Sequence, residues 1–140
     1  MPQLLSALIL IFLSQSLFAC GEHPIISYTK DDGTRMGLVI PESELSGTPE
    51  WDITQGEPPL SITTARDAVL SWAKEKYARY DSVKISAVSL REASGCYSIK
   101  ARWIYVFDLQ PVIDDNALWG SGNWAAVLMD GTVIGTREVK

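Results

Sequence analysis

Residues 61–80 read SITTARDAVLSWAKEKYARY. Advancing about 100° per residue, Ala65, Val69, Trp72, Ala73 and Tyr80 fall within about a quarter-turn of one direction, while Asp67, Ser71, Lys74 and Ala78 lie opposite. That pattern predicts an amphipathic helix. Ser61 or Thr63 is placed to cap its first turn, and Thr64 with Asp67 has the spacing of a capping box. Pro58 and Pro59 stop any earlier start, because proline lacks the N–H and constrains its neighbour. Lys76 falls near the centre of the stripe, where its stem packs while the ammonium reaches the edge. A helix this short is marginal alone, so it needs a surface to cover.

Downstream the period changes from helix to strand. Residues 83–90 alternate through Val83, Ile85 and Ala87 and then shift phase at Val88 and Leu90, the mark of a bulge. Residues 92–96 supply a turn through Ser94-Gly95. Residues 97–109 form the clearest strand, with Tyr97, Ile99, Ala101, Trp103, Tyr105, Phe107 and Leu109 on one face. Opposite them Ser98, Lys100 and Arg102 give way to Ile104 and Val106, so the second half is apolar on both faces and central. Residues 110–122, QPVIDDNALWGSG, read as a loop. Residues 124–129 resume a strand, Asp130-Gly131 turns, and residues 132–139 return along an edge guarded by Arg137, Glu138 and Lys140. The expected fold is α+β, one main amphipathic helix on a curved antiparallel sheet of three to four strands.

Upstream, residues 25–29 and 36–40 flank Asp32-Gly33, a strong hairpin signal. Residues 41–59, PESELSGTPEWDITQGEPP, form a connector long for a compact domain, pinned by Leu45 and Trp51. The N-terminal part is therefore a hairpin packed on the core or a loose arm. The organisation expected is a leader over 1–19, hairpin and connector over 20–59, and the helix–sheet domain over 60–140.

Residues 1–19, MPQLLSALILIFLSQSLFA, hold no charged side chain and one apolar run too short to span a membrane, as in an export signal. Leu17-Phe18-Ala19-Cys20 resembles the lipobox of bacterial lipoproteins, with Phe18 where a small residue is usual. The resemblance implies lipidation at Cys20 and, with Gly21 next, an outer-membrane-anchored lipoprotein. Ordinary cleavage near Ala19 is the alternative and gives a soluble periplasmic or secreted protein. The chain has two cysteines. Lipidation leaves Cys96 single, whereas an unlipidated Cys20 permits a Cys20–Cys96 disulfide in an oxidising compartment.

The chain carries 17 acidic and 12 basic residues, a net charge of −5, without a basic cluster. This argues against nucleic acid and against anionic membrane surfaces, leaving the lipid as the only membrane contact expected. His23 is the single histidine, which removes the common histidine zinc sites and the Ser-His and Cys-His pairs. No G-x-S-x-G, phosphate loop or dinucleotide fingerprint is present, so no catalytic residues, metal or cofactor are expected. Asp108, Asp114 and Asp115 could in principle pair for acid–base work, but read better as solvated surface. Asp114, Asp115, Asn116 and Trp119, flanked by Trp124, make residues 110–122 the best candidate for binding, since scaffolded loops and tryptophan anchors carry recognition. The opposing reading folds Trp119 back onto the core.

Leu60-Ser61 opening a helix with Ala65 and Ala68, the run Trp103-Ile104-Tyr105-Val106-Phe107, and Val127-Leu128-Met129-Asp130-Gly131-Thr132-Val133-Ile134 together resemble the PepSY pattern. That pattern is a small exported α+β module ending in a strand–turn–strand. Thr48-Pro49-Glu50-Trp51 ahead of Pro58-Pro59-Leu60-Ser61 is similar to other small bacterial exported proteins of this layout. The resemblance covers roughly residues 48–139 and implies a protein-binding or inhibitory role in the cell envelope, with no catalytic set to carry over. The functional expectation is a non-enzymatic module that binds an envelope protein through a sheet edge or residues 110–122. The alternative is a small-ligand binder or enzyme with a cavity lined by Trp72, Trp103 and Tyr105. Intact mass of the protein made with its own leader separates the two exported forms. Lipidation predicts a membrane-bound species heavier by a diacylglyceryl and an acyl group on Cys20. Simple cleavage predicts a soluble species lighter by the two hydrogens of a disulfide.

Overall fold

The computed structural model describes residues 23–93 and 102–140. It is mixed α and β, mostly sheet, with one main helix and two antiparallel sheets. Strands β1 (Ile26–Thr29) and β2 (Arg35–Leu38) form the N-terminal hairpin. Gly33, at φ +85°, supplies the turn, and the Asp32 carboxylate accepts the Thr34 N–H at 2.8 Å. Helix α1 (Glu42–Ser46) and a 3-10 turn (Ile53–Gln55) follow. The main helix is α2 (Ile62–Lys76). The strands after it are β3 (Ser82–Glu92), β4 (Trp103–Ile113), β5 (Asn116–Ala117), β6 (Trp124–Leu128), β7 (Val133–Gly135) and β8 (Arg137–Glu138).

The Ser61 hydroxyl caps α2 by accepting the Thr64 N–H at 3.1 Å. The capping box expected of Thr64 and Asp67 does not form. The helix starts one residue after Ser61, so Thr64 is the reciprocal partner and its hydroxyl lies 2.9 Å from that of Ser61. Asp67 instead pairs with Arg66 at 2.8 Å on the exposed face, an arrangement worth little to stability. The helix ends at Lys76, which is exposed, with Tyr77 as its C-cap. Tyr80 thus lies beyond the helix and its ring packs tilted on that of Tyr77.

The main sheet runs β3-β4-β6-β7, with the short β5 paired to the end of β4. The expected bulge is present: the β3–β4 register slips between Ile85 and Ala87, leaving Ser86 out of the ladder. Its hydroxyl donates to the Asp108 carbonyl. On one face of β4, Tyr105, Phe107 and Leu109 meet Ala65, Val69 and Ala73 of α2. On the other, Ile104 and Val106 meet Leu38 and Leu45. The helix and the N-terminal segment therefore cover opposite faces of one central sheet, each large buried side chain contributing about 1.5–3 kcal/mol.

Four expectations need correcting. The hairpin is not a free arm, because β8 pairs with β2 to make a second, three-stranded sheet. The main sheet has five strands where three or four were expected, the short β5 being the addition. Residues 41–59 are not a plain loop. They carry α1, whose Leu45 is buried in the far core, and an Asp52–Gln55 capping box. The Arg102 guanidinium donates to the Thr48 carbonyl, and Trp51 meets Trp103 edge-on at 5.7 Å. Leu45 packs with Ile104 and Val106 on one face of the sheet and Trp51 with Trp103 on the other, so the connector passes from one side to the other at this end. Residues 132–139 are not one edge strand, since β7 closes the main sheet and, after Thr136, β8 joins the other. Residues 94–101, including Cys96 and the expected turn, and the leader with Cys20 lie outside the described residues.

The Trp72 indole lies on Gly135. A Cβ there would approach the ring to 2.6 Å. Opposite Gly135 on β6 is Ala125, so two small residues make the seat for one large one. Gly135→Ala is expected to cost about 1–3 kcal/mol by overpacking, read as a lowered denaturant midpoint with an unchanged slope.

Candidate functional site

On the face of β4 away from α2, the row Ile104, Val106, Asp108, Gln110 turns from apolar to polar. Ile104 and Val106 lie under the hairpin sheet. Asp108 and Gln110 extend past it and are half-buried. Beside Asp108 on β6 stands Trp124, its register partner, and on the β3 side lies the Ser86 bulge. Residues 118–123 wall this floor. The result is a pocket of about 250 Å³ lined by Ser86, Asp108, Gln110, Trp119, Asn123 and Trp124, among others.

The wall is held from both layers. Gly122 sits at φ +98°, and a Cβ there would fall 2.1 Å from the Tyr28 ring of the hairpin. Tyr28 also meets Trp124 edge-on at 5.8 Å. From the helix side the Tyr77 hydroxyl donates to Asn123 Oδ1 at 3.3 Å, and the Asn123 carbonyl accepts the Leu109 N–H. The loop is thus clamped between two tyrosines. Trp119, at its tip, is 86% exposed, which overturns the reading that folds it onto the core.

The other candidate residues divide. Residues 110–122 are not wholly loop, because β4 runs on to Ile113 and a two-residue hairpin turn at Asp114-Asp115 leads into β5. Both aspartates have positive φ, 48° and 62°, the backbone of a type I′ turn that Asn-Gly usually fills. The Asp81 carboxylate accepts the Asp114 N–H at 2.7 Å, and the Asn116 amide donates to the Asp114 carbonyl at 2.7 Å. These three therefore shape the turn that leads into the wall, and Trp119 and Trp124 are the ones that line the pocket. Ser86, Gln110 and Asn123 were missed. The phase shift marked Ser86, and the polar end of the β4 row marked Gln110.

Trp72, Trp103 and Tyr105 line neither of the two pockets formed by the described residues. They pack in or against the helix-side core, and the Tyr105 hydroxyl donates to the Leu60 carbonyl at 2.8 Å. A larger cleft, about 640 Å³, lies instead along the second half of α2 and the start of β3, lined by Leu70, Tyr77 and Val83 with Asp67, Lys74 and Asp81. Its two carboxylates are already engaged, by Arg66 and by the Asp114 N–H. Among the described residues no group of three His, Cys, Asp or Glu could hold a metal. No helix among them is long and apolar enough to cross a membrane.

Burial, and then the neighbouring phenols of Tyr80 and Tyr28, push the Tyr77 hydroxyl above its ordinary value. Burial does the same to Tyr105. A raised folded value means the unfolded chain ionises first. The stability these tyrosines contribute is complete below about pH 10 and is lost as pH rises through the folded values. Denaturant midpoints are expected to hold from neutral pH to the tyrosine range and fall above it, and Tyr77→Phe to shrink that alkaline fall without abolishing it.

No protein family, curated protein or solved structure matches the chain.

Proposed function

We propose that this chain is a non-enzymatic protein of the cell envelope that binds another protein with residues 118–124. The observation that carries the reading is Trp119, a large apolar side chain 86% exposed on a wall clamped by Tyr28 and Tyr77. An indole held in water by a rigid support costs little further ordering on binding, which is what makes tryptophan an effective anchor. Leu118 beside it is also exposed and enlarges the contact. The uncharged run of residues 1–19 and the Cys20 signal support export, with the protein either anchored through a lipid at Cys20 or soluble with Cys20 bonded to Cys96. The helix laid on an antiparallel sheet fits the PepSY-like layout, for which a binding or inhibitory role in the envelope is the natural one.

The small-ligand alternative draws on the 640 Å³ cleft. It is weaker, because Asp67 and Asp81 are spent on internal partners and leave no free convergent carboxylates to orient a ligand.

A photo-crosslinking residue placed at Leu118 in the full chain, in its own cells, tests the proposal. A discrete heavier adduct is expected from position 118 and none from Ile53, an exposed apolar control in the connector. Adding Trp119→Ala should remove the adduct. The proposal is wrong if position 118 gives no adduct, or gives one indifferent to Trp119.

A further inference from the structure

The pocket beside Trp119 has a definite electrostatic character. Its lining holds one carboxylate, Asp108, and no lysine, arginine or histidine. Asp108 lies half-buried, and no hydrogen bond or ion pair engages its carboxylate among the described residues. Gln110, two residues along on the same face, is likewise uncommitted and offers a carbonyl oxygen. Asn123 has its own oxygen taken by Tyr77. The indoles of Trp119 and Trp124 complete the lining. A half-buried anion beside aromatic rings is the chemistry that selects a cation, since the carboxylate supplies the charge and the ring faces attract it further.

We propose that this pocket receives an arginine side chain of the partner protein. The inference rests on the protein-binding reading above. Three features favour arginine. Its guanidinium is planar, so one edge can donate two N–H bonds to the Asp108 carboxylate while its face stacks on the Trp119 indole. The pocket, at about 250 Å³, falls below the ~300–1,000 Å³ of drug-sized sites and suits the end of one side chain. The chain as a whole carries −5, which draws in a basic partner and repels an acidic one. An anionic ligand is disfavoured by the same lining, having no cation to meet and Asp108 to oppose it.

Two measurements test this. Nα-acetyl-arginine methylamide and its neutral isostere, Nα-acetyl-citrulline methylamide, are titrated into the protein as recovered from cells, reading the Trp119 indole N–H by NMR. A saturable shift is expected with the arginine probe, with at least tenfold weaker binding of the citrulline probe. Asp108→Asn, which keeps shape and removes charge, should bring arginine down to the citrulline level. Gln110→Glu should tighten arginine binding severalfold, a gain that misfolding does not produce. Equal binding of the two probes, or no saturable shift with either, overturns the proposal. In cells, Asp108→Asn should cut the Leu118 adduct about tenfold, while Asp67→Asn on the far side of α2 leaves it unchanged. An adduct that depends on Trp119 but ignores Asp108 sinks the arginine pocket and leaves the binding reading standing. Loss of dependence on both sinks the two together.

Discussion

The middle of β4 has to be buried on both sides. Trp103, Tyr105 and Phe107 project one way and Ile104 and Val106 the other, so water must be excluded from two faces of one strand. A helix covers only one of them. The second cover comes from the N-terminal hairpin, and the rest of the chain follows from that need. The connector must carry the chain from the far face to the helix face, which it does past Arg102 and Trp103, with Leu45 buried on the first side and Trp51 on the second.

The candidate site lies where that constraint lapses. Along the far face of β4 the apolar row ends at Val106, and Asp108 and Gln110 follow. The second sheet, only two to four residues deep in each strand, stops short of them. A strip of floor is left uncovered, and the segment leading into β6 walls it. Tyr28 is the link between the two regions. It belongs to the cover, yet its ring supports both Gly122 and Trp124. The packing that completes the core therefore also fixes the shape of the pocket.

The parts of the fold legible in the sequence are those governed by local periodicity. The stripe of Ala65, Val69 and Ala73, the phase shift in β3 and the two-sided run in β4 all depend on neighbours a few residues away. The turns at Gly33 and Gly131 were legible because positive φ selects glycine there. Asp114-Asp115 was not, since two aspartates in that geometry are tolerated but not signalled. Nor was the break at Thr136, because nothing between Val133 and Glu138 marks the change of sheet. It is imposed by the unpaired edge of β2. For Trp119 the sequence was silent on burial, as a tryptophan in a loop serves equally as a core lid or an anchor. Only the two tyrosines on either side of residues 122 and 123 decide the matter, and they come from distant parts of the chain.

The pairing of β2 with β8 has a temporal meaning. These strands come from opposite ends of the described chain, so the second sheet cannot close while residues 137 and 138 are still being made. Closing so distant a pair is slow, because the loop entropy is met before the contacts repay it. Until then the far face of β4, with Ile104 and Val106, lacks the last strand of its cover. A nascent chain of this topology keeps that face incompletely covered until residues 137 and 138 have been made.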